Sequence, residues 1–203
     1  MEVVKHNQVT VGSVTNRIVY MLEQTLETSS GKATLASLRN SIGKPLSQSV
    51  EIWSLMFENL PKEFLSGGQS ESKKEVAILT TLQFYALYRQ GKDASGRKNT
   101  QKPSYRDIGH SLSALRKGDN TVAMDRRFNA LITSATYDEL IHHLRQMIKL
   151  LKSKTSGETD IDFGRLAQDL YRFLIGRDEK TRLSWARNYY RTYPEGGTES
   201  DQS

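Results

Sequence analysis

Arg145, Lys149 and Lys152 recur at i, i+4 and i+7, a spacing that lines up side chains along one face of an α-helix. Cations on such a face, with no carboxylate at helical spacing beside them, suit one task above others: neutralising the phosphates of a nucleic-acid backbone. The preceding segments repeat the pattern. Around the stripe Met124, Phe128, Leu131 and Ile132, Arg126 points almost directly away from the apolar side and Arg127 lies on its flank. Arg116-Lys117 close the segment before that, whose outer face also carries Arg106 and His110. A loop from Gly91 to Lys102 adds Arg97, Lys98 and Lys102. The plainer reading is a set of solvated helix faces, because cations near helix C-termini are mildly stabilising in their own right. Successive basic faces together with a basic loop favour nucleic-acid binding.

Residues able to do bond-making chemistry do not converge. Gly91-x-x-x-x-Gly96-Arg97-Lys98 has the outline of a phosphate loop. It lacks the Lys-Ser/Thr ending, however, and it follows an apolar helical segment instead of a strand. Adjacent His142 and His143 point about 100° apart on a helix and cannot share a metal as an i, i+4 pair can. Asp160-Ile-Asp162-Phe-Gly164 has its glycine misplaced for a calcium loop, and one of these aspartates is expected to cap a helix. With no Cys in the chain, thiolate metal sites, disulfides and Cys nucleophiles are excluded. No catalytic residue, metal or cofactor is expected. Trp185, Tyr189 and Tyr190 stand among Arg182, Arg187 and Arg191, where they could stack bases, although aromatics at helical spacing read first as core. Trp53 and Phe57 also read as core.

The 203 residues carry 29 Lys and Arg against 23 Asp and Glu, enough chain to bury a substantial core. The surplus of cations is local. It lies between residues 61 and 157, whereas the last 46 residues hold seven basic and nine acidic side chains. No apolar run approaches the ~18 residues of a membrane span, and nothing at the start resembles a secretory signal. A cytoplasmic setting without a membrane is expected.

Periodicity is helical almost throughout, and the fold class is all-α. Leu140, Leu144, Met147, Ile148 and Leu151 form one stripe, Leu166, Leu170, Phe173 and Leu174 another. Ser72 with Glu75, Ser104 with Asp107 and Thr136 with Glu139 have capping spacing. Helices are predicted near 11–28, 33–42, 46–59, 72–90, 104–117, 121–134, 137–153, 162–175 and 178–191. They divide into an N-terminal bundle over 1–91 and a C-terminal bundle over 104–192, joined by a basic linker loop at 92–103 and followed by a disordered tail at 193–203.

Several of these segments, in this order, resemble one family. Ala33-Thr-Leu-Ala-Ser-Leu-Arg39 matches an early Ala-x-Leu-x-x-Leu-Arg helix. Tyr105-Arg-Asp-Ile-Gly-His-Ser-Leu-Ser-Ala-Leu-Arg-Lys117 resembles a Ser-Leu-Gly-x-x-Leu helix followed by basic residues, with Asp107-Ile108-Gly109 standing where Ser-Leu-Gly is usual. Asp125-Arg-Arg-Phe128 is similar to the paired-Arg helix after it, and Thr181-Arg-Leu-Ser-Trp-Ala-Arg-Asn-Tyr-Tyr190 to the closing Arg-x-x-Trp-Ala-Arg pattern. Together they resemble the small subunit of the type I-E CRISPR surveillance complex, Cascade (the CasB family), over about residues 15 to 192.

The resemblance implies a two-lobed, non-catalytic protein. Its copies would lie side by side next to the large subunit and the backbone subunits, holding guide RNA and both strands of target DNA while the guide invades the duplex. By matching position it implicates Arg39, Arg116, Arg126, Arg127 and Arg145. Helical geometry adds Lys117, Lys149 and Lys152, and the loop adds Arg97, Lys98 and Lys102. The rival readings are a helix-turn-helix regulator built on 104–117 and 121–134, and a scaffold whose basic faces meet acidic proteins. A metal-dependent nuclease stands further off.

Overall fold

The computed structural model describes residues 9–68, 70–91, 106–117 and 120–191. Within them there is no strand, and the helices are α1 (Val11–Gln24), α2 (Ser29–Asn40), α3 (Trp53–Asn59), α4 (Lys73–Arg89), α5 (Ile108–Ser113), α6 (Thr121–Ile132), α7 (Tyr137–Lys154), α8 (Phe163–Leu174) and α9 (Glu179–Tyr190). The linker loop 92–103, the tail 193–203 and Ser104 lie outside the described residues.

Local chemistry sets the ends of these elements. Reciprocal capping boxes open α4 through Ser72 and Glu75 and α7 through Thr136 and Glu139, each satisfying backbone N–H groups that the first turn leaves open. Asp162 caps α8 by accepting from the Arg165 N–H at 2.8 Å. The region expected to be helical over 46–59 is broken instead. The Ser49 hydroxyl donates to the Pro45 carbonyl and its backbone leaves the helical region, leaving short 3₁₀ turns before α3. At the end of α1 the Thr25 hydroxyl donates to the Leu22 carbonyl, and Thr28 then caps α2, which starts earlier than its apolar pattern suggested.

The centre of the molecule is α4, where every residue from Ala77 to Tyr88 is buried. Such all-round burial requires neighbours on each side. Helices α1 and α4 pack along α8, α2 and α7 lie against α4, α5 runs along α9, and α6 packs on α7. Helices from both sides of the basic segment therefore meet in a continuous core. A buried Gln83 amide donates to the Ser41 carbonyl at 2.8 Å and pins α2 to α4. Trp53 and Phe57, expected in the core, are 37% and 46% exposed with their rings 6.2 Å apart. The reason is that α3 is a short surface helix whose buried side is Leu55 and Met56. No helix of the described residues is long and apolar enough to cross a membrane.

Helix α9 is held by polar clamps. Buried Asp107 caps α5 and also accepts from the Ser184 hydroxyl at 2.6 Å and the Asn188 amide at 2.8 Å. The backbones are very close here, since a Cβ on Gly109 would stand 2.1 Å from the Trp185 carbonyl oxygen. Trp185 and Tyr189 are fully buried, as the core reading of that helix expected. We expect Gly109→Ala to force α5 off α9 and lower the unfolding free energy by about 2 kcal/mol or more. A urea midpoint unchanged from the parent would show that the helices can part at little cost.

Candidate nucleic-acid interface

The cations singled out in the sequence have different fates. Arg126 and Arg127 are exposed on α6 and Lys149 on α7, and among the described residues none of the three has an ion pair or a side-chain hydrogen bond. These two helices pack on each other, so the three exposed cations stand on adjacent elements. Arg145 is only half-exposed, and its Nε is buried without a hydrogen-bond partner. Lys117 is exposed at the end of the 3₁₀ turn Ala114–Arg116. Arg39, half-buried in the last turn of α2, belongs to a helix whose main neighbours are α4 and the turn Val50–Ile52, away from the α6–α7 pair. Arg97, Lys98 and Lys102 lie outside the described residues.

Arg116 and Lys152 correct the expectation of unpaired basic faces on three successive helices. Arg116 donates to both carboxylate oxygens of Asp125, at 2.9 and 3.3 Å, and its guanidinium lies over the rings of Tyr189 and Tyr190 at 5.5 and 5.1 Å. Asp125 sits nine residues away, beyond the reach of any single-helix pattern, because the chain turns between α5 and α6. The Lys152 ammonium donates to the Leu87 carbonyl at 3.0 Å, supplying a donor to the end of α4 that α4 itself cannot. Both side chains hold the fold together.

The Arg116 cluster in turn fixes α6. Phe128 stacks on Tyr189 with centroids 3.7 Å apart and planes 6° from parallel, and the Tyr190 hydroxyl donates to Asn129 at 2.8 Å. With Met124, Phe128 and Leu131 buried, Arg126 has to face solvent. The helix-turn-helix reading finds no matching pair here, since the main neighbour of α5 is α9 and not α6.

Among the described residues no group of three metal-ligating side chains converges, and the His142 and His143 rings stand 5.4 Å apart at 81°. Burial, together with the nearby Arg106 guanidinium, holds the His110 imidazole below its ordinary pKa.

Residues 34–190 match the family model described as CRISPR-associated protein Cse2. The chain belongs to this family. Its fold is similar to the crystal structure of CasB from Thermobifida fusca, with a TM-score of 0.67 and 22% identity over 89% of this chain and 98% of that one. A chain of a CRISPR RNA-guided surveillance complex is similar at a TM-score of 0.67, with 18% identity over 89% and 94% of the two chains. A Cse2-family protein from Thermus thermophilus follows at 0.62, with 22% identity over 87% and 97%. At these identities the likeness is one of fold. No curated protein matches the chain.

Sequence reasoning passed over Arg165 and Arg172 of α8 in this Cse2-family chain, and it set Arg182 of α9 only among aromatics that could stack bases. Arg172 donates to fully buried Asp169 at 2.8 Å and Arg165 does so at 3.4 Å, while Arg182 reaches the carbonyls of Ile132 and Ser134. The signal was hidden by the charge sum, because three of the nine acids after residue 157 lie in the tail. Arg116→Ala is expected to cost about 1–2 kcal/mol of stability, as a pair three-quarters shielded from solvent is broken. Arg126→Ala and Lys149→Ala should stay within about 0.5 kcal/mol of the parent. Chemical unfolding of the three variants measures the contrast directly.

Proposed function

We propose that this Cse2-family protein is the non-catalytic small subunit of a type I-E Cascade complex in a prokaryotic cytoplasm. In this role it works without a cofactor and holds nucleic acid through non-specific backbone contacts while guide RNA pairs with target DNA. The observation that carries this reading is the set of solvent-facing cations Arg126, Arg127 and Lys149 on two packed helices, in a chain of a CRISPR-associated family. Lys117 and Arg145 extend that surface, and Arg97, Lys98 and Lys102 are proposed to add to it from the linker. Arg39 is proposed to make a separate contact. Its partners are guide RNA, both DNA strands, the large and backbone subunits, and a neighbouring copy of itself.

The physical case rests on how such complexes work. Base pairing reads the sequence, and exchanging a DNA duplex for an RNA–DNA heteroduplex is nearly balanced in free energy. A protein that adds a modest, sequence-indifferent attraction for the backbone of the displaced strand can therefore tip the exchange. Flexible, exposed Lys and Arg side chains suit that task, because phosphate contacts position a strand without reading its bases.

The test is a titration of the full chain against unrelated single-stranded and duplex DNAs of equal length at two salt concentrations. Binding should be indifferent to sequence and weaken steeply with salt, with each phosphate contact adding about 0.7 (single strand) to 0.9 (duplex) to the log–log slope. The triple variant Arg126→Glu, Arg127→Glu, Lys149→Glu should fold normally, bind at least about tenfold more weakly and show a shallower slope. Unchanged affinity in the folded variant would remove this face from nucleic-acid binding. Strong preference for one duplex would indicate a sequence-reading regulator.

A further inference from the structure

The cations of α8, α9 and the turn between them take no part in the surface just described, yet four of them line a cavity of about 440 Å³. Arg165, Arg172, Arg177 and Lys180 line it, with Tyr171 and Thr181, and no acidic side chain does. The carboxylate bonded to this group, Asp169, is fully buried, and it accepts from Arg165 at Oδ2 and from Arg172 at Oδ1. It offsets one charge of four and fixes two guanidiniums in place, leaving their remaining N–H groups for another acceptor. Arg177 and Lys180 form no ion pair among the described residues. Crowding like charges into a concavity is unfavourable unless an anion joins them, and the protein walls concentrate the resulting potential.

Thr181 supplies a second, independent observation. It is 3% exposed, and its hydroxyl is buried without a hydrogen-bond partner. Other buried or half-buried threonines of this chain return their hydroxyl to a carbonyl four residues earlier: Thr15 to Val11, Thr81 to Ala77 and Thr155 to Leu151. Thr181 lies in the first turn of α9, where no such carbonyl is in place, and a buried hydroxyl left unpaired is costly. It lines the same cavity as the four cations.

We propose that this cavity is a phosphate-binding site, independent of the α6–α7 surface and of its assigned role. A phosphate offers several oxygens to guanidinium forks, an ammonium and a hydroxyl at once, whereas a carboxylate offers two. The cavity falls in the range of small-molecule sites, about 300–1,000 Å³, so it has room for an organic body attached to the phosphate, with Tyr171 on the wall. That body is either a nucleotide of a strand or a small phosphorylated compound.

Inorganic phosphate is the probe, titrated into the full chain and followed by amide NMR shifts. Saturable shifts at Gly176, Lys180 and Thr181 are expected, absent with sodium chloride at matched ionic strength. Arg177→Glu with Lys180→Glu should weaken this binding by about tenfold or more. Thr181→Val should weaken it several-fold while leaving the unfolding midpoint unchanged or higher, because an unpartnered hydroxyl gives nothing to the fold. Shifts that follow ionic strength alone would overturn the proposal, as would a Thr181→Val variant that unfolds earlier with unaltered phosphate affinity. A single-stranded oligonucleotide then identifies the source. Displacement of phosphate from Thr181, retained when Arg126, Arg127 and Lys149 are Glu, assigns the site to a strand. Failure to displace assigns it to a small phosphorylated compound, and either result upholds the phosphate site. Should oligonucleotides bind nowhere, the strand-holding role falls while the phosphate shifts at Thr181 remain.

Discussion

A carboxylate without exposed surface sits at the junction of α8 and α9, and its need for donors organises much of the surrounding structure. Burying an unpaired charge costs several kcal/mol even after relaxation, so Asp169 has to be met by N–H groups. The Trp185 indole donates at 3.0 Å from α9, and Arg172 and Arg165 donate from its own helix. Burial pushes the Asp169 carboxyl pKa up, and these partners pull it back. Once Trp185 is fixed, the register of α9 is fixed as well. Tyr189, one turn later, is then presented to Phe128 of α6, and the stacked pair, with the Arg116–Asp125 ion pair beside it, sets the rotation of α6. The outward direction of Arg126 is thus the end of a chain of contacts that begins at a buried aspartate.

The basic side chains of this protein separate into those that complete the fold and those left to solvent, and helical spacing cannot tell them apart. Arg182 is the clearest structural case. Its guanidinium gathers the Ile132 and Ser134 carbonyls where α6 ends, pairs with Asp178 and lies 4.7 Å from the Phe173 ring. Lys152 does the same for the end of α4. Each supplies donors to carbonyls that a finished helix leaves open. Arg126, Arg127 and Lys149 have no such duty among the described residues, and their side chains are left to solvent.

This division marks where reading the sequence succeeded and where it could not. Caps were legible because a capping box is a contact within four residues, and Ser72–Glu75 and Thr136–Glu139 form as spaced. The apolar stripe of α7 was legible because all five of its members are buried. Arg116 was misjudged because its partner comes from the next helix. Trp53 and Phe57 were misjudged because an i, i+4 aromatic pair fits a buried face and an exposed one equally well. The helix expected over 104–117 is short in α form and ends in a 3₁₀ turn. Its start is set by Asp107, whose Oδ1 caps it while Oδ2 accepts from Ser184 and Asn188 of α9. The cations around the α8–α9 cavity went unnoticed because a sum over sequence averages an acidic tail with residues it need not meet.

The two basic regions differ in how they can treat an anion. Side chains on α6 and α7 stand in water, where ions screen each contact over a Debye length of about 8–10 Å at physiological salt. Their attraction for an anion is additive, tolerant of geometry and easily released. Around the α8–α9 cavity, by contrast, Asp169 has already fixed two guanidiniums. Less side-chain freedom is lost there when an anion arrives, and geometry, not net charge, decides what fits. A chain with both arrangements can therefore hold one phosphate firmly while neighbouring phosphates exchange freely, a combination that neither a uniformly basic surface nor a closed pocket provides.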